Sequence, residues 1–358
     1  MDLKLGEQLR ALLGPVLITG HTGFKGTWLT FLLEHLGVPT VGYSLAPEKD
    51  SLYDRANLTG NIPEIYADIR EAETFRKFLA THKPSAIIHM AAQPLVLQSY
   101  KTPKETFDVN VMGTVNVLNE AFTADFVQAV IVVTTDKVYR NDNSGRAFVE
   151  TDPLEGKDPY SASKVGAEAA VSAWQQIQKV SGGPKVVSVR AGNVIGGGDW
   201  AENRLIPDLV RGFTSGKPVE IRNPSSTRPW QHVLDPLTGY LMTLEHVLDG
   251  GTMTSINFAP FGYSLSVAEV AKIAHECWGA GPKIEFPEVQ IPDNYEASSL
   301  ALDATYATRL FKNAGHWSQE KSIKKSVIWW KKLIDTTSDP QECTKSDIQE
   351  FLSEVTGK

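Results

Sequence analysis

Residues 15–26, with the sequence PVLITGHTGFKG, decide the fold of this chain. The first five of them form a short, apolar, mostly β-branched run, and apolar residues recur at helical spacing over 28–33. Three glycines with the spacing G-x-x-G-x-x-G lie between the two, at Gly20, Gly23 and Gly26. Glycines allow a tight turn and let backbone N–H groups approach a phosphate at a helix N-terminus. The segment therefore predicts a strand, a phosphate-binding turn and a helix.

The alternation of short apolar runs and amphipathic segments continues to about residue 190. The other strand candidates are 38–43, 65–67, 86–89, 129–134 and 186–190. The other helix candidates are 71–81, 103–123 and 161–180. Short buried strands that alternate with amphipathic helices indicate a parallel sheet covered by helices on both faces. We therefore predict an α/β fold with a doubly wound parallel sheet of the Rossmann type.

The pattern divides the chain at about residue 190. Residues 1–190 are predicted to form a dinucleotide-binding domain, because the regular alternation covers them. Beyond residue 195 the alternation weakens, and Gly, Pro, Asn and Trp become frequent. Irregular segments of this kind more often form a ligand-facing lobe than a second core. Residues 191–358 are therefore predicted to form a smaller, mixed substrate lobe, with some segments that return to the first domain.

The composition of the chain excludes several classes of partner. The 358 residues carry a formal charge of −7, the pI is about 5.7, and no basic stripe is present, which excludes a nucleic-acid-binding role. No apolar run approaches the ~18 residues of a membrane span, and residues 1–4 are charged where a signal peptide would be apolar. Cys277 and Cys343 are too few for a disulfide framework and lack metal-site spacing. We therefore predict a cytoplasmic protein without a metal site or a membrane partner.

Tyr160 and Lys164 lie four residues apart in a helical segment, so both side chains leave the same helix face. A lysine ammonium beside a tyrosine lowers the pKa of the phenol, which is about 10 in an ordinary tyrosine. The pair predicts a base that takes a hydroxyl proton while a hydride leaves the carbon. The alternative interpretation is an unrelated Tyr-Lys pair on a surface helix.

A second group of polar side chains follows the fifth strand candidate, at Thr135, Asp136 and Lys137. Threonine and aspartate are common turn residues, so an ordinary strand end is one interpretation. Ligands of open parallel sheets, however, bind at the carboxyl ends of the strands. This position predicts that the three side chains face a bound substrate.

The glycine turn, the Tyr-Lys pair and the length of the chain together resemble the extended branch of the short-chain dehydrogenase/reductase superfamily, which contains nucleotide-sugar epimerases and dehydratases. The resemblance extends from about residue 14 to about residue 330. It implies NAD as the cofactor, although 43–46 offer neither the acid that holds a ribose nor an arginine for a 2′-phosphate, so NADP is the alternative. The implied cofactor-binding residues are Gly20, Thr22, Gly23, Phe24, Gly26, Asp68, Ile69, Ala91, Ala92, Asn110, Tyr160 and Lys164. The implied substrate-binding residues are Gln93, Asn193, Arg204, Leu205 and Arg228.

The residues after Thr135 imply a choice within the family. Simple epimerases usually carry small residues there, whereas the 4,6-dehydratases carry a charged pair. The Asp136-Lys137 pair, with His21 and Lys25 in the glycine turn, resembles the members that act on CDP-glucose. The implied function is removal of water from a nucleotide-linked glucose to give the 4-keto-6-deoxy sugar. A 4-epimerase, another sugar dehydratase, or an NAD(P)-sensing scaffold protein without turnover are the alternatives.

The resemblance also implies a role for each catalytic residue. Tyr160, with Thr135 and Lys164 beside it, takes the proton of the 4-hydroxyl while hydride passes from carbon 4 to the nicotinamide. Asp136 protonates the departing 6-hydroxyl, and the hydride returns to carbon 6. Lys137 is either a neutral base that removes the hydrogen of carbon 5 or a charged group that stabilises the enolate.

The helix candidates at 103–123 and 161–180 resemble those that pair as a four-helix bundle between protomers of the family. The resemblance therefore implies a homodimer, with a tetramer as the alternative.

Overall fold

The structure is a computed structural model that describes residues 5–221, 223–262, 264–279, 281–286, 300–311, 317–335 and 338–356. The strands are β1 (Val16–Thr19), β2 (Thr40–Ser44), β3 (Glu64–Tyr66), β4 (Ala86–His89), β5 (Ala129–Val133), β6 (Lys185–Ala191), β7 (Val194–Ile195), β8 (Val219–Glu220), β9 (Thr227–Arg228), β10 (Gln231–His232), β11 (Ser255–Phe258), β12 (Leu265–Ser266) and β13 (Ile284–Glu285). The α-helices are α1 (Glu7–Arg10), α2 (Phe24–His35), α3 (Leu52–Arg55), α4 (Ala72–His82), α5 (Val96–Lys101), α6 (Pro103–Phe107), α7 (Gly113–Thr123), α8 (Pro159–Ser181), α9 (Leu205–Ser215), α10 (Leu234–Leu248), α11 (Val267–Trp278), α12 (Thr305–Phe311), α13 (Gln319–Asp335) and α14 (Pro340–Thr356).

Seven strands form one sheet in the order β11-β6-β5-β4-β1-β2-β3. Every neighbouring pair in this sheet is parallel. The strand order reverses between β1 and β4, and open α/β sheets bind their ligands in the crevice at such a switch point. The predicted doubly wound parallel sheet is confirmed.

The sheet is covered on both faces, as the continuous apolar strands predict. Alternate residues of β1 show this division, because Val16 and Ile18 belong to one buried cluster and Leu17 belongs to the other. The first cluster contains residues of α2 and α10, and the second contains residues of α4, α7 and α8. The central strands therefore hold the loops at their carboxyl ends on a rigid base.

The second half of the chain contributes to both lobes. Strand β11 returns to the large sheet and pairs with β6 from Ser255 opposite Ser188 to Phe258 opposite Ala191. Three small sheets, β10-β7, β12-β9 and β13-β8, lie outside it and include parallel and antiparallel pairs. The division at residue 190 stays a prediction, and β11 is one segment that returns. No helix within the described ranges is both long and apolar enough to cross a membrane.

The predicted single helix over 103–123 is wrong in its middle. Helices α6 and α7 are joined by a π-helical turn at Asp108–Met112, which places Asn110 inside the protein. The Asn110 side-chain amide donates to the carbonyl of Gln93 at 3.0 Å and to the hydroxyl of Ser163 at 2.8 Å. A wider turn of this kind is often found at functional sites, and here it joins α8 to the loop after β4.

Candidate active site

The glycine turn between β1 and α2 has the shape that a dinucleotide requires. Gly20 has a φ of 78°, and a Cβ there would lie 2.8 Å from the amide nitrogen of Ala91. A Cβ on Gly26 would lie 2.1 Å from the carbonyl oxygen of Gly20. Gly23 is the N-cap of α2 and supplies no side chain to cap it. The N–H groups of the first helical turn therefore face a cradle that fits a pyrophosphate.

The side chains of the turn reach in different directions. The Thr22 hydroxyl lies 2.7 Å from the Ser44 hydroxyl and donates to the carbonyl of Leu45 at 3.0 Å, which joins the turn to the end of β2. Phe24 reaches the substrate lobe, where its ring tip lies 3.1 Å from the position of a Cβ on Gly196. The end of β2 therefore offers a neutral hydroxyl pair where many NAD-binding proteins have a carboxylate.

A buried chain of hydrogen bonds fixes the loop that contains Ala91 and Ala92. The Thr19 hydroxyl accepts bonds from the backbone N–H groups of Met90 and Ala91 at 3.1 and 3.2 Å, so its own proton goes to Nδ1 of His89, 2.7 Å away. Nε2 of His89 then donates to Thr114 at 3.1 Å. Burial, with a smaller effect of the Lys164 charge, lowers the pKa of His89 to about 3, so the ring is a neutral support of this loop.

Gln93 lies in the loop that joins β4 to α5. Its backbone N–H donates to the Asn110 side chain at 2.8 Å. Both ends of its side-chain amide are bonded: the nitrogen donates to Thr106 of α6 at 2.9 Å, and the oxygen accepts from the N–H of Leu95 at 2.6 Å. The substrate contact predicted for Gln93 stays a prediction, and it would require one of these bonds to be exchanged.

Asp68 and Ile69 lie at the start of the loop after β3. The carboxylate of Asp68 is bonded by the guanidinium of Arg70, with one contact of 2.6 Å, and these bonds hold the pKa of Asp68 below its ordinary value. Ile69 is buried, and its Cγ2 lies 2.7 Å from the position of a Cβ on Gly113. The structure therefore gives Asp68 a local partner and Ile69 a packing role against α7.

The predicted catalytic side chains meet at the carboxyl end of β5. The Tyr160 phenol hydrogen-bonds with Thr135, and the Thr135 hydroxyl donates to Oδ1 of Asp136 at 3.0 Å. Asp136 is 2% exposed and begins the one-turn helix Asp136–Val138, in which Lys137 is partly exposed. A continuous chain of polar groups thus leads from the phenol of Tyr160 to the carboxyl group of Asp136.

The pKa of Tyr160 moves opposite to the sequence prediction. Burial raises it, the hydrogen bond to Thr135 and the charge of Arg204 lower it, Asp136 raises it, and together they bring the pKa to about 12. The amine of Lys164 donates instead to the carbonyl of Val133 at 3.1 Å, and burial lowers its pKa to about 8. The phenol is therefore protonated at neutral pH in the protein alone, because the positive groups do not offset its burial.

Lys25 is a residue of this site whose position the sequence analysis missed. Its side chain is partly exposed, but its amine turns inward and donates to the buried Tyr240 hydroxyl at 3.3 Å. The loss of water around the amine and the charges of Arg204 and Lys164 lower its pKa, Asp136 raises it, and together they bring the pKa to about 7. Its position after Phe24, on the first turn of α2, was the available signal.

The predicted substrate residues lie on the loops of the second lobe. Arg204 precedes α9, and its guanidinium donates to both carboxylate oxygens of Asp199 at 3.0 and 2.9 Å. Leu205 begins α9, and Asn193 accepts a backbone bond from β10 through its carbonyl at 3.0 Å. Arg228 is 4% exposed and donates to the carbonyl of Thr227 at 2.9 Å. The charge of Arg204 acts on Tyr160, which brings this loop to the catalytic residues.

The site thus combines three cations with one buried acid. The charges of Arg204 and Lys164 lower the pKa of Lys25, and the charge of Arg204 lowers the pKa of Tyr160. Asp136 raises the pKa of both Lys25 and Tyr160, so it lies among these cations. A Cβ on Gly192 would lie 3.3 Å from Oδ2 of Asp136. The arrangement offers a phenol for proton transfer, a shielded carboxyl group beside it, and positive charge that favours an anionic ligand.

The chain is similar to known proteins over most of its length. A sequence model of the NAD dependent epimerase/dehydratase family matches residues 16–259. The chain is 39% identical to the CDP-glucose 4,6-dehydratase of Salmonella typhimurium over 351 residues, which are 95% of this chain and 97% of that protein. It is 26% identical to the UDP-glucose 4-epimerase of Halalkalibacterium halodurans over 281 residues, which are 74% of this chain and 80% of that protein. The crystal structure of DesIV, a dTDP-glucose 4,6-dehydratase from Streptomyces venezuelae with NAD bound, has a TM-score of 0.75 and 23% identity over 91% of this chain and 99% of that chain, and it shows that the fold is shared.

Proposed function

The chain belongs to the NAD-dependent epimerase/dehydratase family, and we propose that it removes water from CDP-glucose to give the CDP-linked 4-keto-6-deoxy sugar. The family model and the 39% identical relative confirm the family that the glycine turn and the Tyr-Lys pair predict. The cofactor is NAD, held in the cradle that the glycine turn forms after β1. The 39% identity to a CDP-glucose 4,6-dehydratase over almost the whole chain supports both the reaction and the base of the substrate.

The observation that carries the proposal is the position of Asp136. It is buried next to Thr135, which itself contacts the Tyr160 phenol. Oxidation alone requires only a proton acceptor at the 4-hydroxyl. A second acid within one hydroxyl of that acceptor is suited to protonate a leaving group on the neighbouring carbons of the same sugar. Elimination of water uses both groups, whereas inversion at carbon 4 uses only the first.

We assign the first proton transfer to Tyr160 and Thr135. NAD, when bound, would supply a reversible hydride acceptor for the sugar. Tyr160 accepts the proton of the 4-hydroxyl, and the Thr135 hydroxyl holds the phenol in place. Positive charge from Arg204 favours the phenolate, against the burial that raises its pKa.

We assign the elimination to Asp136 and Lys137. The 4-ketone acidifies the hydrogen on carbon 5, and the carboxyl group of Asp136 donates a proton to the 6-hydroxyl as it leaves. Lys137, next along the same one-turn helix, either removes the hydrogen of carbon 5 or stabilises the enolate with its charge.

Incubation with a panel of glucoses linked to CDP, UDP, dTDP and GDP tests the proposal. Mass detection is expected to show a product lighter by one water with CDP-glucose in preference to the others. Calorimetry on the same protein is expected to show binding of NAD, more tightly than of NADP. Conversion of a nucleotide-linked glucose to its 4-epimer without loss of water would replace the dehydratase by an epimerase.

We also propose that the active protein is a homodimer in which the helix pairs around α5–α8 form a four-helix bundle. Apolar side chains that are about two-fifths to one-half exposed support this, and they are Leu97, Tyr100, Phe107, Met112 and Ile177. Burying such a surface between protomers removes apolar area from water. Light scattering after size exclusion is expected to give twice the chain mass, and Phe107→Glu with Met112→Glu is expected to give the monomer. A monomeric wild type would contradict this proposal. A mass four times that of the chain would show that two dimers associate into a tetramer.

A further inference from the structure

Glu168 is the next residue on the helix face that carries Tyr160 and Lys164. The three lie at intervals of four along α8, and Glu168 is buried, with 5% of its side chain exposed. Each of them bonds to the carboxyl end of β5. Tyr160 contacts Thr135, Lys164 donates to the carbonyl of Val133, and Glu168 accepts from the hydroxyl of Thr134 at 2.6 Å.

The remaining bonds of Glu168 come from β6. Arg190 donates to Oε1 through Nε and to Oε2 through a terminal nitrogen, both at 2.8 Å, and Ser188 donates to Oε2 at 2.8 Å. Arg190 also donates to the Tyr139 hydroxyl at 2.8 Å. Burying both ions of a two-point pair costs desolvation free energy, and removing one partner strongly destabilises the protein. This pair therefore fixes the register of α8 against β5 and β6 directly behind the catalytic residues.

We propose that Glu168 is a positioning residue of the reaction, which holds the end of β5 against α8 and places a carboxylate, paired with Arg190, one helical turn from Lys164 on the same face of α8. The inference rests on the proposed function, because Lys164 serves Tyr160 in that reaction. No contact between Glu168 and the substrate is implied.

The electrostatic part of the proposal depends on the other groups around Lys164. Burial lowers the pKa of Lys164 to about 8, and Glu168 raises it. The charged or titratable groups that face this region from other elements are Lys25 of α2, His89 of β4, Asp136 after β5, Arg190 of β6 and Arg204 before α9. His89 is neutral, and Lys25 is a like charge. Glu168 is thus the carboxylate that favours the ammonium form of Lys164.

Two single variants with opposite effects on charge test this. The measured quantity is the pH dependence of nicotinamide reduction in a single turnover with CDP-glucose. The alkaline limb of this profile is the fall in rate at high pH as Lys164 loses its proton. In Glu168→Gln the charge of Arg190 is left without its partner, so the alkaline limb is expected to move to lower pH by about one unit or more. In Arg190→Met the carboxylate is left without its partner, so the limb is expected to move to higher pH. The double variant Glu168→Gln/Arg190→Met carries no net change and is expected to return toward wild type.

A matched control separates charge from general damage. Glu120 is a buried carboxylate on α7 that accepts a bond from Asn119, and Glu120→Gln is expected to leave the alkaline limb unchanged. A purely structural role of Glu168 would lower the rate in both single variants at every pH without moving the limb in opposite directions. That result, or a limb that moves in the same direction in both, overturns the proposal.

A second readout does not depend on turnover. The pH titration of the Lys164 Nζ signal, observed by NMR in protein labelled with 15N-lysine and assigned with Lys164→Arg, is expected to show the same opposite shifts. If Glu168→Gln does not fold, the other two variants still test the proposal. Arg190→Met is expected to move the titration to higher pH, and the double variant is expected to move it back toward that of wild type. If wild type reduces no cofactor with any nucleotide-linked glucose, the proposed function fails, and this titration still decides whether Glu168 controls Lys164.

Discussion

In the proposed reaction Tyr160 accepts a proton as the phenolate, and its surroundings oppose that ionisation. Burial raises the pKa of the phenol to about 12, and the ammonium that should lower it is bonded to the carbonyl of Val133. The groups that favour the phenolate are the hydroxyl of Thr135 and the charge of Arg204. Proton transfer from a sugar hydroxyl is therefore expected to occur together with oxidation at carbon 4, since a free phenolate is scarce at neutral pH.

Tyr160→Phe is expected to reduce turnover by at least about 100-fold, the usual contribution of a positioned acid–base group. The substitution removes one oxygen and leaves the ring in its buried place, so the midpoint of thermal unfolding is expected to change little. Steady-state turnover with CDP-glucose checks the first statement, and scanning calorimetry of the unfolding transition checks the second. Near-normal turnover in the variant would show that Tyr160 does not take the proton.

Asp136→Asn and Lys137→Met are expected to separate elimination from oxidation. The first keeps the size of the side chain and removes the proton donor, and the second keeps the stem and removes the amine. Both variants are expected to reduce NAD in a single turnover and to release water slowly. Lys137→Met is also expected to slow the incorporation of solvent deuterium at carbon 5. Loss of oxidation with normal elimination from a supplied 4-keto sugar would contradict these roles.

The sequence was sufficient to predict the residues that meet at the end of β5, because they are read from local spacing. Tyr160 and Lys164 share a helix face, and Asp136 follows a strand that must end at the ligand edge. It was not sufficient to predict the direction of the pKa of Tyr160 or the inward turn of Lys25. The first depends on burial, and the second depends on Tyr240, which lies 215 residues further along the chain.

At the scale of elements, the glycine turn is supported from an unexpected side. His21, within the turn, is fully buried, and its Nε2 lies 2.7 Å from Glu64 on β3. The ring occupies the space over Gly42 of β2, where a Cβ would lie 2.6 Å from the ring atoms. A histidine in the turn therefore requires a glycine in the neighbouring strand, which explains why β2 carries a residue that otherwise weakens strands.

Gly42→Ala is expected to lower the free energy of unfolding by about 1–3 kcal/mol, because the new methyl group overlaps the His21 ring. In a His21→Ala background the same substitution is expected to cost much less, since the space is then free. Urea unfolding of the two single variants and the double variant gives this coupling. Additive effects would show that His21 is not what excludes a side chain at position 42.

Local sequence pattern predicts most elements of the large sheet because apolar runs and helical periodicity are local properties. The π-helical turn at Asp108–Met112 could not be predicted in this way. It is stabilised by bonds from Asn110 to Gln93 and Ser163, which lie 17 and 53 residues away. The pattern over 103–123 is equally compatible with one straight helix.

At the scale of the whole molecule, the second half of the chain completes the first. Strand β11 adds the seventh strand beside β6, and α10 supplies Tyr240, the partner of Lys25. The loop with Arg204 brings its charge to Tyr160. The sequence predicts an irregular substrate lobe, but its contacts to the first domain join residues far apart in the chain, which local periodicity does not encode.

In the proposed reaction the hydrogen of carbon 4 reaches carbon 6 of the same sugar while water is lost. Incubation with CDP-glucose that carries deuterium at carbon 4, followed by NMR of the product, tests it most directly. We predict a 4-keto-6-deoxy sugar with the deuterium in its new methyl group. Deuterium retained at an inverted carbon 4, or absent from the methyl group of the product, would contradict the account.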